Sequence, residues 1–266
     1  MVKMEKLTAK DKHLLGAVID RDSIHAPILS TFSEKGWSDT TDIGIYRRIE
    51  YDQPEELIRG VVISVRQRWN SYANQRERNR FPNDLWMEVL SASAVHDNQL
   101  FNKMIETLPT SGKGPSNATC DLIIYERLLA TIRKTPLPAE HFKHNDFKSR
   151  RRPYTTAILD CIASLSAADP EVFSAGLEKL LASSRNDRTA TAERRLMCIH
   201  AHGLWEIGNK VNPQLISTWD VSTNLPWDRG FHAFVQEVGE ASKFISDYTT
   251  SSHLLNLIKL QELRPS

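Results

Sequence analysis

The 266 residues are 40% hydrophobic and 25% charged, the make-up of a folded globular chain and not of a disordered one. Thirty-four Lys and Arg face 33 Asp and Glu, and the formal charge of +1 excludes bulk attraction to nucleic acid or to an anionic membrane. No window reaches the roughly 18 apolar residues that a membrane span needs, so a soluble protein of the cytoplasm is expected.

The first twelve residues mix four lysines with Glu5 and Asp11, and the apolar run that follows, "LLGAVI", is too short for a signal core. A helix is predicted over about 8–20 and another over 39–49, both from apolar residues recurring at three and four. The clearest helix opens at "DQPEELIRGVVISVRQRWNSY". Asp52 is read as its N-cap, Glu55 as the partner in a capping box, and Pro54 as a first-turn residue whose missing N–H is harmless. Leu57, Ile58, Val61, Val62, Val65, Trp69 and Tyr72 form its buried stripe.

Further helices are predicted over 83–94, 98–108 and 118–132. Between the last two, "LPTSGKGPSNAT" is a Gly/Pro/Ser loop. It lacks the spacing of a phosphate loop, and no strand precedes it. A long polar segment at 134–153 leads into "PYTTAILDCIASLSAADPEVFSAGLEKLLASS". This reads as an antiparallel helix pair, with Ala157, Ile158, Cys161, Ile162 and Leu165 buried on the first arm. On the second arm Asp169 caps, Pro170 opens, and Val172, Phe173, Leu177, Leu180 and Leu181 face inward. Helices over 190–207, 213–218, 230–238 and 251–263 complete the chain. The fold class is all-α: a compact array of roughly ten to twelve mostly antiparallel helices, with stacked helix pairs as one arrangement. One domain over 1–266 is expected, and 110–118 is where any subdivision would fall.

Several residue groups invite a chemical reading. Cys120, Cys161 and Cys198 form no C-x-x-C and are odd in number, so reduced, mostly buried thiols are expected. His200 and His202 point about 200° apart on a helix and cannot chelate one metal together. His200 falls on the apolar stripe and is read as a core histidine. A metal-dependent hydrolase would have to join His202 to Cys198 or to His232, without the tight ligand spacing such sites show.

Two basic stretches interleave aromatics. Arg66, Arg68, Arg76, Arg78 and Arg80 surround Trp69, Tyr72 and Phe81; Lys143, Lys148, Arg150, Arg151 and Arg152 form the second. Such a composition suits a single-stranded nucleic acid, a partner protein or simply a solvated face. Because Trp69 and Tyr72 already belong to a core stripe, the solvated face is favoured over nucleic acid.

The stretch "DVSTNLPWDRGFHAF" is the most distinctive. Asp228 is placed to cap a helix with the stripe Phe231, Phe234, Val235 and Val238. Trp227 stands where a hydrophobic staple puts an aromatic. Asp220, Arg229 and His232 are left without a structural task. With Asp228, Glu237 and Glu240 they make up an acid-leaning candidate contact surface for a basic partner.

"DPEVFSAGLEKLL" followed by "RLMCIHAHGLWEIGNKVNPQLISTWDVSTNLPWDRGFHAF" resembles the all-helical immunity proteins of bacterial polymorphic toxin loci, the immunity family numbered forty-nine in particular. The resemblance covers about 169–234. It implies a non-enzymatic inhibitor that binds and neutralises a cognate toxin protein in the producing cell, in a 1:1 complex or in a 2:2 complex built on a homodimer. It also implies no catalytic residues, cofactor or metal. The readings that compete with it are a helical scaffold or adaptor, and nucleic-acid binding through the Arg-rich stretches.

Overall fold

The computed structural model describes residues 38–74, 84–110, 120–136, 152–216, 219, 226–244 and 259–260. Among them every regular element is a helix. The predicted helices over 8–20 and 251–263 lie outside the described residues, apart from 259–260, which are not helical.

Helices α1 (Ser38–Tyr51) and α2 (Pro54–Asn74) pack at close backbone contact. A Cβ at Gly60 would sit 2.3 Å from the Thr40 carbonyl oxygen, and Thr40 Oγ1 donates to the Gly60 carbonyl at 3.1 Å. The expected stripe of α2 is buried, with only Tyr72 part-exposed. Asp52, however, does not cap α2. It adopts φ +56° and ends α1 as a left-handed residue, its exposed carboxylate paired with Arg48 one turn back. The two residues between α1 and α2 must reverse the chain, and a left-handed residue supplies that reversal where a cap in extended conformation would not.

Arg66 also departs from expectation. The sequence places it in a basic patch, but it is 5% exposed and bonded twice to Asp97, Nε to Oδ2 and Nη2 to Oδ1, each at 2.7 Å. Asp97 also caps α4 (Asn98–Thr107), accepting from the Leu100 N–H at 3.2 Å. Arg66 therefore joins two helices inside the protein. Arg76, Arg78 and Arg80 lie outside the described residues.

α3 (Trp86–Ala94) and α9 (Ile199–Val211) form the centre. Both are covered on nearly all sides, as expected of helices inside a core and not at its edge. α5 (Cys120–Arg133) closes over the end of α4. Arg133 donates to the Ile105 and Leu108 carbonyls at 2.7 Å each, and Tyr125 Oη to the Pro109 carbonyl at 2.6 Å. These bonds satisfy carbonyls that a helix C-terminus leaves open.

α6 (Arg152–Ala167) and α7 (Pro170–Asn186) form the expected pair. Asp169 caps α7, accepting from Glu171 and Val172 N–H groups at 3.1 and 3.0 Å. Val172 departs from expectation: it is 48% exposed, while Phe173, Leu177, Leu180 and Leu181 are buried. Val172 and Phe173 are neighbours about 100° apart on the helix, and the hairpin contact covers only the side that carries Phe173.

The single helix predicted over 190–207 is two, α8 (Ala192–Leu196) and α9. The chain extends at Met197, and the Cys198 N–H donates to the Pro226 carbonyl at 2.9 Å. A donor that a continuous helix would use internally is thus given to a segment 28 residues away. After α9 comes a 3-10 turn, Pro213–Leu215, shorter than the helix expected there; then α10 (Arg229–Val238) and a second 3-10 turn, Ala241–Phe244. One hydrophobic core holds residues from Ile45 to Ala241.

Candidate functional site

The Trp227–Asp228 joint brings together residues far apart in the chain. Asp228 is 4% exposed. Its Oδ1 accepts from the Phe231 N–H at 3.0 Å, which makes it the N-cap of α10. The same carboxylate accepts from Arg48 of α1, Nε to Oδ2 at 2.7 Å and Nη2 to Oδ1 at 3.1 Å. Gly230 leaves room for this guanidinium: a Cβ there would fall 2.6 Å from Arg48 Nη2.

His202 is the core histidine, at 1% exposure, and His200 is not. The expectation was reversed because α9 is enclosed on the face opposite its apolar stripe as well. The Trp227 indole stacks on the His202 ring at 3.9 Å between centroids and 9° between planes. His202 Nε2 accepts from the Asp228 N–H at 3.4 Å. Burial first, then His232 nearby, hold its pKa well below the ordinary value, so the ring stays neutral. Trp219 meets Trp227 edge-on at 4.8 Å, and Trp205 meets His232 edge-on at 4.2 Å. Trp227 and His232 lie 5.4 Å apart, N′ against N4 of α10, which is the staple position expected of Trp227.

Glu206, 2% exposed, places its carboxyl beside this aromatic cluster. His96 Nε2 lies 2.9 Å from its Oε2, His232 Nδ1 lies 3.5 Å from its Oε1, and Gln236 donates to the same Oε1. Burial lowers the His232 pKa, and Glu206 opposes that fall.

The six candidate contact residues therefore separate. Asp228 is taken into the interior by its cap and by Arg48, so it cannot face a partner. His232 is half-buried against Trp205 and Glu206. Glu240 is half-buried and accepts from Asn98 Nδ2 at 2.8 Å. Arg229 and Glu237 are exposed, and Asp220 lies outside the described residues. The Cys198 thiol is buried 3.8 Å from the Tyr154 hydroxyl, with its pKa pushed up by burial. Among the described residues no three His, Cys, Asp or Glu side chains are grouped to hold a metal ion.

A second place was missed from sequence altogether. A cavity of about 410 Å³ opens between α2, α3, α6, α8 and the start of α9. Glu88 of α3 lines it. Its Oε1 is 3.7 Å from Arg68 Nε, and its Oε2 is buried without a hydrogen-bond partner. Desolvation is the largest influence on this carboxyl and raises its pKa to about 7, against the lowering pull of Arg68, of its own backbone N–H and of Arg194. Opposite, Tyr154 Oη and His200 Nδ1 are hydrogen-bonded at 2.6 Å. The one signal in the sequence was a single acid inside the apolar run "LWMEVL".

Because the folded protein favours the protonated form of Glu88, this group contributes most at low pH. That contribution declines as pH rises above the ordinary carboxyl value and is lost by about pH 7. Glu88→Gln is expected to match the wild type in urea unfolding at pH 4.5 and to exceed it at pH 8. Equal midpoints at both pH values would show that Glu88 is solvated.

Compared with protein-family models, with curated proteins and with solved structures, the chain matches none.

Proposed function

We propose that this protein is a non-enzymatic immunity protein of the cytoplasm that binds and neutralises a cognate bacterial toxin, with the outer row of α10 in the contact. The observation that carries the reading is the way α10 is held. Its first turn is locked to α1 by Asp228 and Arg48, and its inner side is packed through Phe231 and Val235. Arg229, Ala233, Gln236 and Glu237 remain exposed on a helix whose position is set before any partner arrives. A pre-ordered helix face loses little conformational entropy on docking. Exposed carboxylate at its C-terminal end suits a basic partner surface.

The resemblance over 169–234 supports the same reading, since it falls on α7, α8, α9 and α10. Burial of Arg66 takes one arginine out of the basic patch on which nucleic-acid binding would rely. Among the described residues no helix is long and apolar enough to cross a membrane.

The test is co-expression with the product of any toxin-like gene found adjacent to its own. Protection of the cells and a co-purifying complex are expected. Glu237→Lys should weaken that complex on the order of tenfold, mainly through slower association at low salt, with the unfolding midpoint unchanged. Neither protection nor a complex would overturn the reading.

A further inference from the structure

We infer that the cavity beside Glu88 is a binding site for a cationic nitrogen head group, a primary ammonium or guanidinium on a short apolar stem. The inference does not rest on the toxin reading. It rests on which charges around the cavity already have partners. Arg194 Nε donates to Asp42 Oδ1 at 2.8 Å, and Arg68 Nη2 donates to Asp84. Both guanidiniums are thus held by aspartates. Asp187, at the rim, accepts from the Thr189 N–H and hydroxyl at 2.8 and 2.6 Å. Glu88 differs: one oxygen stands beyond hydrogen-bond distance of Arg68, and the other is buried with no donor. A buried carboxylate without a donor is costly, and a ligand that brings N–H groups removes that cost.

The rest of the lining fits the same ligand. Val65, Met87, Met197 and Ile199 offer an apolar wall for a stem, and the serine hydroxyls of Ser64 and Ser91 offer acceptors near a head group. The volume, about 410 Å³, leaves room for an arginine or lysine side chain. The titratable and charged groups that line the cavity with Glu88 are Arg68, held by Asp84, Arg194, held by Asp42, and Asp187, Tyr154, Cys198 and His200. Asp42 and Asp84, which hold the two guanidiniums from outside the lining, bring the carboxylates around the cavity to four against two guanidiniums. An anion held between the arginines would have to displace Asp42 and Asp84.

The head group has two sources, a free amine or the basic side chain of a protein partner. The test titrates the purified full chain with n-butylguanidinium chloride at pH 8 and pH 6, following heat of binding. Sodium butyrate is the charge-reversed control. About tenfold weaker binding at pH 6 is expected, since the ionised fraction of Glu88 falls from about nine tenths to about one tenth around a pKa of about 7. Butyrate should not bind, and Glu88→Gln should abolish butylguanidinium binding at both pH values.

A second titration uses the peptide acetyl-Gly-Gly-Arg-Gly-Gly-amide. Tighter binding by butylguanidinium assigns the site to a free amine. At least tenfold tighter binding by the peptide, lost in Glu88→Gln, assigns it to a protein's basic side chain. Binding of neither probe at pH 8 overturns the inference, as does tighter binding at pH 6 or equal binding of butyrate. The wild-type pH dependence decides the matter without recourse to the variant.

Discussion

Asp228→Ala is expected to destabilise the protein by about 3–5 kcal/mol, with about 1 kcal/mol of that from loss of the α10 cap. The larger part comes from Arg48. Arg48 is 5% exposed, and without Asp228 its remaining partner among the described residues is Asp52 on the surface. Removing one member of a buried pair leaves the other charge without compensation, and that is the costly outcome. Asp228→Asn separates the two contributions. Asparagine keeps the cap but not the charge, so it should lose less than alanine by about the worth of a cap. The measurement is the urea midpoint at constant slope. A loss below about 1 kcal/mol for Asp228→Ala would mean that Arg48 finds solvent easily and that α10 is not locked to α1.

Gly203→Ala is the second large effect, and local and tertiary arguments give it opposite signs. Gly203 sits inside α9, where alanine is intrinsically favoured over glycine by about 1 kcal/mol. A helix read alone would be stabilised. In the folded protein a Cβ on Gly203 would lie 2.0 Å from the Leu90 carbonyl oxygen and 2.6 Å from its carbonyl carbon. Those are backbone atoms of α3 and have no rotamer to escape into. The central pair of helices must separate, so a net loss of about 3 kcal/mol or failure to fold is expected. A stabilised variant would show that α3 and α9 do not approach as closely as described. Gly60 makes a similar contact between α1 and α2, at 2.3 Å from the Thr40 oxygen.

Much of the fold follows from short-range patterns. Apolar residues spaced at three and four marked most of the described helices, because a helix with one wet face must carry such a stripe. Asp169 and Asp228 were legible as caps, because a cap is a contact over two or three residues and leaves a local signature. The break at Met197–Cys198 was not legible, because its cause is the Pro226 carbonyl, far along the chain.

The candidate site shows the same division more sharply. His200 was placed in the core on the strength of one stripe. α9 is covered on both sides, so periodicity carried no information about which histidine is enclosed, and Trp227 stacked on His202 instead. Arg66 looked like a surface arginine in a basic run, and its partner Asp97 is 31 residues away. Arg48 and Asp228 are 180 residues apart.

By itself, the sequence determined an all-helical protein, the positions of most of its described helices, two of its caps and the burial of its main stripes. Each of these is decided within a few turns of chain. Only the tertiary structure decided which charges lie inside, which of two histidines is enclosed, and that Glu88 lines a cavity. Burial of a polar group depends on what packs against it from elsewhere, and desolvation has no signature in local spacing.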